Sequence, residues 1–111
     1  MVVAAQGEIM LDMPAAVAFE KMRATALEEV KIKLYLIQGF RSKEEQDRRF
    51  GDRTVPKDHL ALQTGRAAWF SFKTNEIKQW IEENSKTYGF CRTIESNDRH
   101  YEFRPDHKGC L

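Results

Sequence analysis

The sequence has little of what usually announces a function. It has two cysteines, Cys91 and Cys110, too few for a zinc ribbon and spaced like no metal motif. Cys110 stands one residue from the end of the sequence, a poor place for a structural disulfide. The pair therefore reads as one core thiol and one exposed thiol, which fits a reducing compartment. No stretch approaches the roughly 20 apolar residues of a membrane span. Met1–Gln6 is apolar but short and lacks a basic leader region, so it makes a poor signal peptide. It reads as a flexible lead-in or an edge strand. Neither charge sign dominates: 18 Lys and Arg face 17 Asp and Glu, a net charge of +1 that gives no electrostatic case for nucleic acid. No repeat or low-complexity segment is present.

What is present suits one soluble domain. The 111 residues are 41% apolar and 32% charged, enough for one modest core. Residues 1–12 read as the lead-in, 13–105 as the folded core and 106–111 as a loose tail. Pro14–Val30 is the clearest helix. Pro14 suits a first helical position, and Phe19, Met22, Ala26 and Val30 form an apolar stripe with Leu27 at its margin. Lys33–Gln38 reads as a strand, apolar on both faces and so expected to be central. Ser42-Lys43-Glu44-Glu45 is a capping box before a short helix to Phe50. Asp52–His59 reads as a polar loop. Thr74 is the expected N-cap of a helix to about Lys86, with Ile77, Trp80 and Ile81 facing inward.

The stretch Leu60–Phe72 is the centre of the chain. Gly65 allows a tight turn that a Cβ would resist. After it Ala67 and Trp69 point one way, and Ala68, Phe70 and Phe72 the other. Ser96-Asn97-Asp98 then makes a turn, and Arg99–Arg104 returns as a hairpin strand. There His100, Glu102 and Arg104 share one face, and Tyr101 and Phe103 the other. These elements predict an α+β fold with a small antiparallel sheet and flanking helices.

Four segments also resemble, in order, the VanY/VanX-like D-Ala-D-Ala carboxypeptidases, zinc enzymes of the Hedgehog/DD-peptidase fold. Gly39-Phe40-Arg41-Ser42 with Gln46 is similar to the family's Gly-Tyr-Arg-Ser-x-x-x-Gln. Gln63-Thr64-Gly65-Arg66-Ala67 matches the frame of Ser-x-His-x-x-Gly-x-Ala-x-Asp. Tyr88-Gly89-Phe90 matches Tyr-Gly-Phe, and Arg99–Pro105 resembles Trp-His-Trp-Glu-Phe/Tyr-Arg-Pro. The resemblance implies zinc held by His, Asp and His, a glutamate base, and an arginine over the scissile carbonyl. Laid on this chain, the ligand positions are Leu62, Trp69 and His100, the base position is Asn97 and the arginine is Arg41. Leu62 and Trp69 cannot bind zinc, and Asn97 cannot take a proton from water.

The expectation is therefore a degenerate domain without zinc that binds a peptidoglycan stem peptide or a protein partner. Its substrate-binding residues would be Arg41, Gln46, Gln63, Trp69 and His100. Arg41 would hold a peptide carboxylate, or else pair internally with Glu102 or Asp98. The alternative is an active zinc D,D-peptidase with relocated ligands drawn from His59, Asp58, His100 and Glu95. The plainer account of His59 is a solvated loop histidine beside a solvated Asp58. His107 reads as a tail residue. Arg48, Arg49 and Arg53 could touch phosphate, but Glu44, Glu45, Asp47 and Asp52 alternate with them, as on a solvated helix face.

Overall fold

The computed structural model describes residues 1–111. The chain opens with a hairpin, β1 (Val2–Gln6) and β2 (Ile9–Asp12). Val2–Gln6 thus takes the strand alternative read for Met1–Gln6, and Ile9–Asp12 pairs with it. Helix α1 (Met13–Val30) follows, then β3 (Leu36–Gln38), α2 (Lys43–Phe50) and α3 (Lys57–Leu60). A 3-10 turn over Ala61–Thr64 leads into β4 (Ala67–Phe70). Helix α4 (Asn75–Asn84), a second 3-10 turn (Ser85–Tyr88), β5 (Phe90–Arg92) and β6 (His100–Phe103) complete the chain. The main sheet is antiparallel, in the order β3-β4-β6-β5. This is the expected α+β fold.

The core lies on one face of that sheet. Helix α1 buries Ala15, Ala16, Phe19, Met22 and Ala26 against Leu34, Leu36, Ala68, Phe70 and Tyr101. Phe70 is the hub, its ring centroid 5.3 Å from Tyr101 and 5.9 Å from both Phe19 and Phe90. Burying one such aromatic stabilises the fold by about 1.5–3 kcal/mol. The predicted stripe is met except at Val30, which is exposed in the last turn. Both N-cap hydroxyls bond as expected, Ser42 Oγ accepting from Glu45 N and Thr74 Oγ1 from Ile77 N, each at 3.1 Å, but the return half of the capping box does not form, because the Glu45 side chain is turned towards Arg41.

Four expectations need correcting. The segment 33–38 is an edge, not a centre: β3 is shorter, and Tyr35 and Ile37 are 42% and 46% exposed, because no second layer covers that face. Instead Gln6 closes the edge. Its amide accepts from Leu36 N at 2.8 Å and donates to Leu36 O at 2.9 Å. The polar loop ends early, since Lys57–Leu60 is helical, so His59 is not a loop residue. Cys91 and Cys110 form a disulfide, with Cα atoms 5.7 Å apart. The tail is consequently not loose. Leu111 N donates to Arg92 O, Arg104 donates to Lys108 O, and His107 Nε2 sits 3.1 Å from Lys86 O.

Gly65 makes the turn that aims β4. Its φ is +74°, and a Cβ there would lie 3.0 Å from Asp12 N and Val2 Cγ1. The same junction is tied by Asp12 N to Gly65 O at 2.7 Å and by Arg41 N to Leu62 O at 3.1 Å. The hairpin, the base of Arg41 and the start of β4 are therefore fixed to one another.

Candidate functional site

The face of β4 and β6 turned away from the core carries the polar residues. Trp69 and His100 are direct cross-strand partners, as are Ala67 and Glu102. The predicted period-2 alternation thus holds on both strands. The small Ala67 opposite Glu102 leaves that carboxylate room to turn along the sheet.

His100 is fully buried and uses both ring nitrogens. The Trp69 indole donates to its Nδ1 at 2.9 Å. An indole N–H only donates, so Nδ1 is unprotonated and the ring proton is on Nε2. Nε2 then donates to Glu102 Oε2 at 2.9 Å. Glu102 also accepts from Thr93 Oγ1, and from Arg104 at 3.0 Å. The hydrogen bond from His100, backed by those from Thr93 and Arg104, overcomes burial and holds the Glu102 carboxyl down at about 2.

Arg41 lies beside this chain and is 2% exposed. Its pairing is neither with Glu102 nor with Asp98. The guanidinium donates to Gln38 Oε1 at 2.8 Å, to Gln46 Oε1 at 3.3 Å and to His59 Nδ1 at 2.7 Å. Arginine has no acceptor, so Nδ1 of His59 is also unprotonated. The nearest carboxylate is Glu45, whose Oε2 stands 3.9 Å from Nε. Burial, then the neighbouring Arg49, lowers the Arg41 pKa below its ordinary value. His59 is likewise lowered, by burial first and by the Arg41 and Arg49 charges, against the opposing pull of Asp58. Far from being solvated, the His59 ring packs edge-on between Phe50 and Trp69, each centroid 5.0 Å away. Gln46 Nε2 donates to its backbone carbonyl.

The structure thus brings Arg41, Gln46, Trp69 and His100 into one cluster and adds His59. Gln63 stands apart on the 3-10 turn, half-buried. Leu62 is wholly buried. Asn97 Nδ2 donates to Asp58 Oδ2 at 3.1 Å, and Asp98 lies near Lys78 and Arg99. Sequence reasoning missed Gln38 as an acceptor for Arg41, although its offset of three residues across the strand end was a usable signal. It also missed Thr93, which comes to Glu102 from another strand end.

A zinc ion does not fit these residues. Leu62 offers no donor atom, Trp69 offers only an N–H, and both His100 nitrogens are engaged. The relocated set does not assemble either. No three His, Cys, Asp or Glu side chains lie close enough to share a metal. His59 is turned to Arg41 and Asp58 to Asn97.

No protein-family model and no curated relative matches the chain. Solved structures do. A zinc-bound mutant of the vancomycin-resistance D,D-pentapeptidase VanY, from a VanB-type cassette, superposes with a TM-score of 0.75 at 16% identity. The match covers 93% of this chain and 78% of that one. VanYB in complex with D-alanine-D-alanine gives a TM-score of 0.71, also at 16% identity, over 93% and 76% of the two chains. The LdcB LD-carboxypeptidase, from a structure concerned with peptidoglycan recognition, gives 0.69 at 21% identity over 88% and 62%. At these identities the likeness is one of fold: this chain has the fold of the VanY D,D-pentapeptidase and the LdcB LD-carboxypeptidase.

Proposed function

We propose that the chain is a non-hydrolytic domain of the D,D-carboxypeptidase fold that binds a peptidoglycan-type peptide or a protein partner. The observation that carries this reading is the Trp69 indole bonded to His100 Nδ1 at 2.9 Å. It puts an indole at one family ligand position and directs its donor at the nitrogen lone pair of another. With Leu62 at the remaining ligand position and Asn97 at the base position, no group is left to activate water. One structural neighbour is described bound to D-alanine-D-alanine, which supports a carboxylate-terminated peptide as the first ligand to test. The disulfide adds support, because such bonds persist outside the reducing cytosol, where cell-wall peptides are found.

Arg41 is the residue chosen for the carboxylate, through paired charge-assisted hydrogen bonds. Its NH groups are already turned to Gln38, Gln46 and His59, so the edge left for a carboxylate is that of Nε, which is buried beneath Glu45 and faces its Oε2 at 3.9 Å. A bound carboxylate would take the place Glu45 now occupies.

Two measurements test the reading. Elemental analysis of protein purified without chelator should find far less than one zinc per chain; near-stoichiometric zinc with D-Ala release would overturn it. A stem peptide ending in D-Ala-D-Ala should raise the melting temperature without being cleaved, since a ligand of the native state alone must stabilise it. If millimolar peptide leaves the melt unchanged, the peptide ligand is refuted and a protein partner is the remaining ligand class.

A further inference from the structure

We propose a second binding site, on the opposite side of the sheet from Arg41 and His100, for an aliphatic chain ending in a carboxylate. The largest cavity of the molecule, about 570 Å³, runs between the first half of α1 and the 3-10 turn that precedes β5. This lies within the range of roughly 300–1,000 Å³ typical of small-molecule sites. Val17, Tyr88 and Phe103, with Pro14 and Pro105, give it apolar walls. Phe103 belongs to the Tyr101 face of β6, so β6 itself separates this groove from Glu102.

The charge in the groove is one-sided. Lys21 and Lys86 line it, and no carboxylate does. Several other surface cations are paired: Lys43 with Asp47, Lys78 with Asp98, Arg23 with Glu20 and Arg66 with Asp12. Lys21 and Lys86 enter no such pair. Two free ammonium groups on long stems beside an apolar wall suit a ligand with an apolar body and an anionic head, because the stems can lie along the chain while the heads reach the anion.

The polar inventory decides between an aliphatic anion and a peptide. A peptide would bring backbone N–H and C=O groups that need partners. The side chains of the groove offer a peptide N–H few acceptors: Lys21 and Lys86 only donate, the hydroxyls of Thr87 and Tyr88 are small, and His107 is turned to the Lys86 carbonyl. An aliphatic chain brings no such groups. The site is also built in advance. His107 holds a left-handed backbone, φ +59°, its ring Nε2 lies 3.1 Å from Lys86 O, and the Cys91–Cys110 bridge ties down the segment that carries it. That segment forms the outer wall.

The test uses the intact chain and decanoate below its micelle concentration, followed by amide NMR. Saturable shifts are expected at Val17, Lys21, Lys86 and Phe103, with Gly65 and His100 unmoved. Lys21→Gln with Lys86→Gln should weaken decanoate roughly tenfold and leave the melting temperature unchanged, both side chains being exposed. Decyltrimethylammonium, with the same chain and opposite charge, should not bind. Equal binding of the two amphiphiles, equal affinity of the double variant, or no saturable shift at millimolar decanoate would each overturn the site. None of these results bears on Arg41, so this inference and the proposed function fail separately.

Discussion

The two ends of the polar cleft hold buried charge in opposite ways. At one end a cation, Arg41, is answered mainly by neutral acceptors, the amide oxygens of Gln38 and Gln46 and the imidazole of His59. At the other end an anion, Glu102, is answered by three donors, His100, Thr93 and Arg104, one of them charged. The first arrangement works only while His59 stays neutral. The second works only while Glu102 stays ionised. The difference teaches where the cleft is adaptable: Arg41 keeps an unmet demand for an anion, and Glu102 has none for a cation.

The largest expected effect comes from removing the cation. Arg41→Ala leaves two buried glutamines and His59 without their donor and opens a void. Breaking a buried charged network in this way costs about 3–5 kcal/mol, read as a large fall in melting temperature. Arg41→Lys should recover only part, because one ammonium cannot serve three acceptors placed for a planar fork. A melt unchanged in Arg41→Ala would mean that the cleft does not depend on this residue.

The acid behaviour of the two ends should separate on the pH axis. The folded Glu102 pKa is lowered from 4.5 to about 2, so its stabilisation is complete above pH 4.5 and is lost as pH falls towards 2. The amount is on the order of 3 kcal/mol. His59 is also lowered, from 6.5, so its neutral-state contribution is complete above that value and begins to fall earlier in an acid titration. Stability against pH should therefore show two acid limbs. Glu102→Gln should delete the lower limb and His59→Gln the upper. A single limb surviving both variants would contradict this division.

Trp69→Phe probes the join between the two ends with a smaller effect. It keeps the aromatic bulk and removes only the N–H, leaving His100 Nδ1 buried and unpaired, a loss of about 1–3 kcal/mol. Imidazole nitrogen shifts should report the tautomer directly: Nε2-protonated His100 in the wild type, a mixture in the variant. Wild-type spectra with the proton on Nδ1 would refute the Trp69–His100 bond.

The sequence made the framework legible and the pairing only in part. Alternation placed Trp69, His100 and Glu102 on one face because a strand has a strict period of two. The caps at Ser42 and Thr74 were readable because a hydroxyl three residues before a backbone N–H is local chemistry. The partners of Arg41 were not readable: Gln46 arrives with α2 and His59 with α3, and neither helix's position is encoded in its own residues. The edge position of β3 was hidden for the same reason, since Tyr35 and Ile37 are apolar whether or not a layer covers them. The disulfide was missed because proximity to the chain end says nothing of where that end folds back, here onto β5.

The smallest change in stability carries the sharpest test of the comparison. Glu45 is half exposed and its Oε2 stands 3.9 Å from Arg41 Nε, beyond hydrogen-bond distance. Such a pair contributes roughly 0–1 kcal/mol, so Glu45→Ala should barely move the melting temperature. The Ser42 cap is untouched, because Ser42 accepts from the Glu45 backbone and not from its side chain. What should change is the demand at Arg41. If Glu45 stands in for a ligand carboxylate, its removal takes away both an occupant and a like charge, and a D-Ala-D-Ala-terminated peptide should bind several-fold tighter. The same substitution should do nothing for a control peptide of the same sequence with an amidated C-terminus, which lacks the carboxylate. Equal gains for both peptides would place the recognition elsewhere than at Arg41. Weaker binding of the free acid would mean that Glu45 positions the guanidinium rather than competing for it.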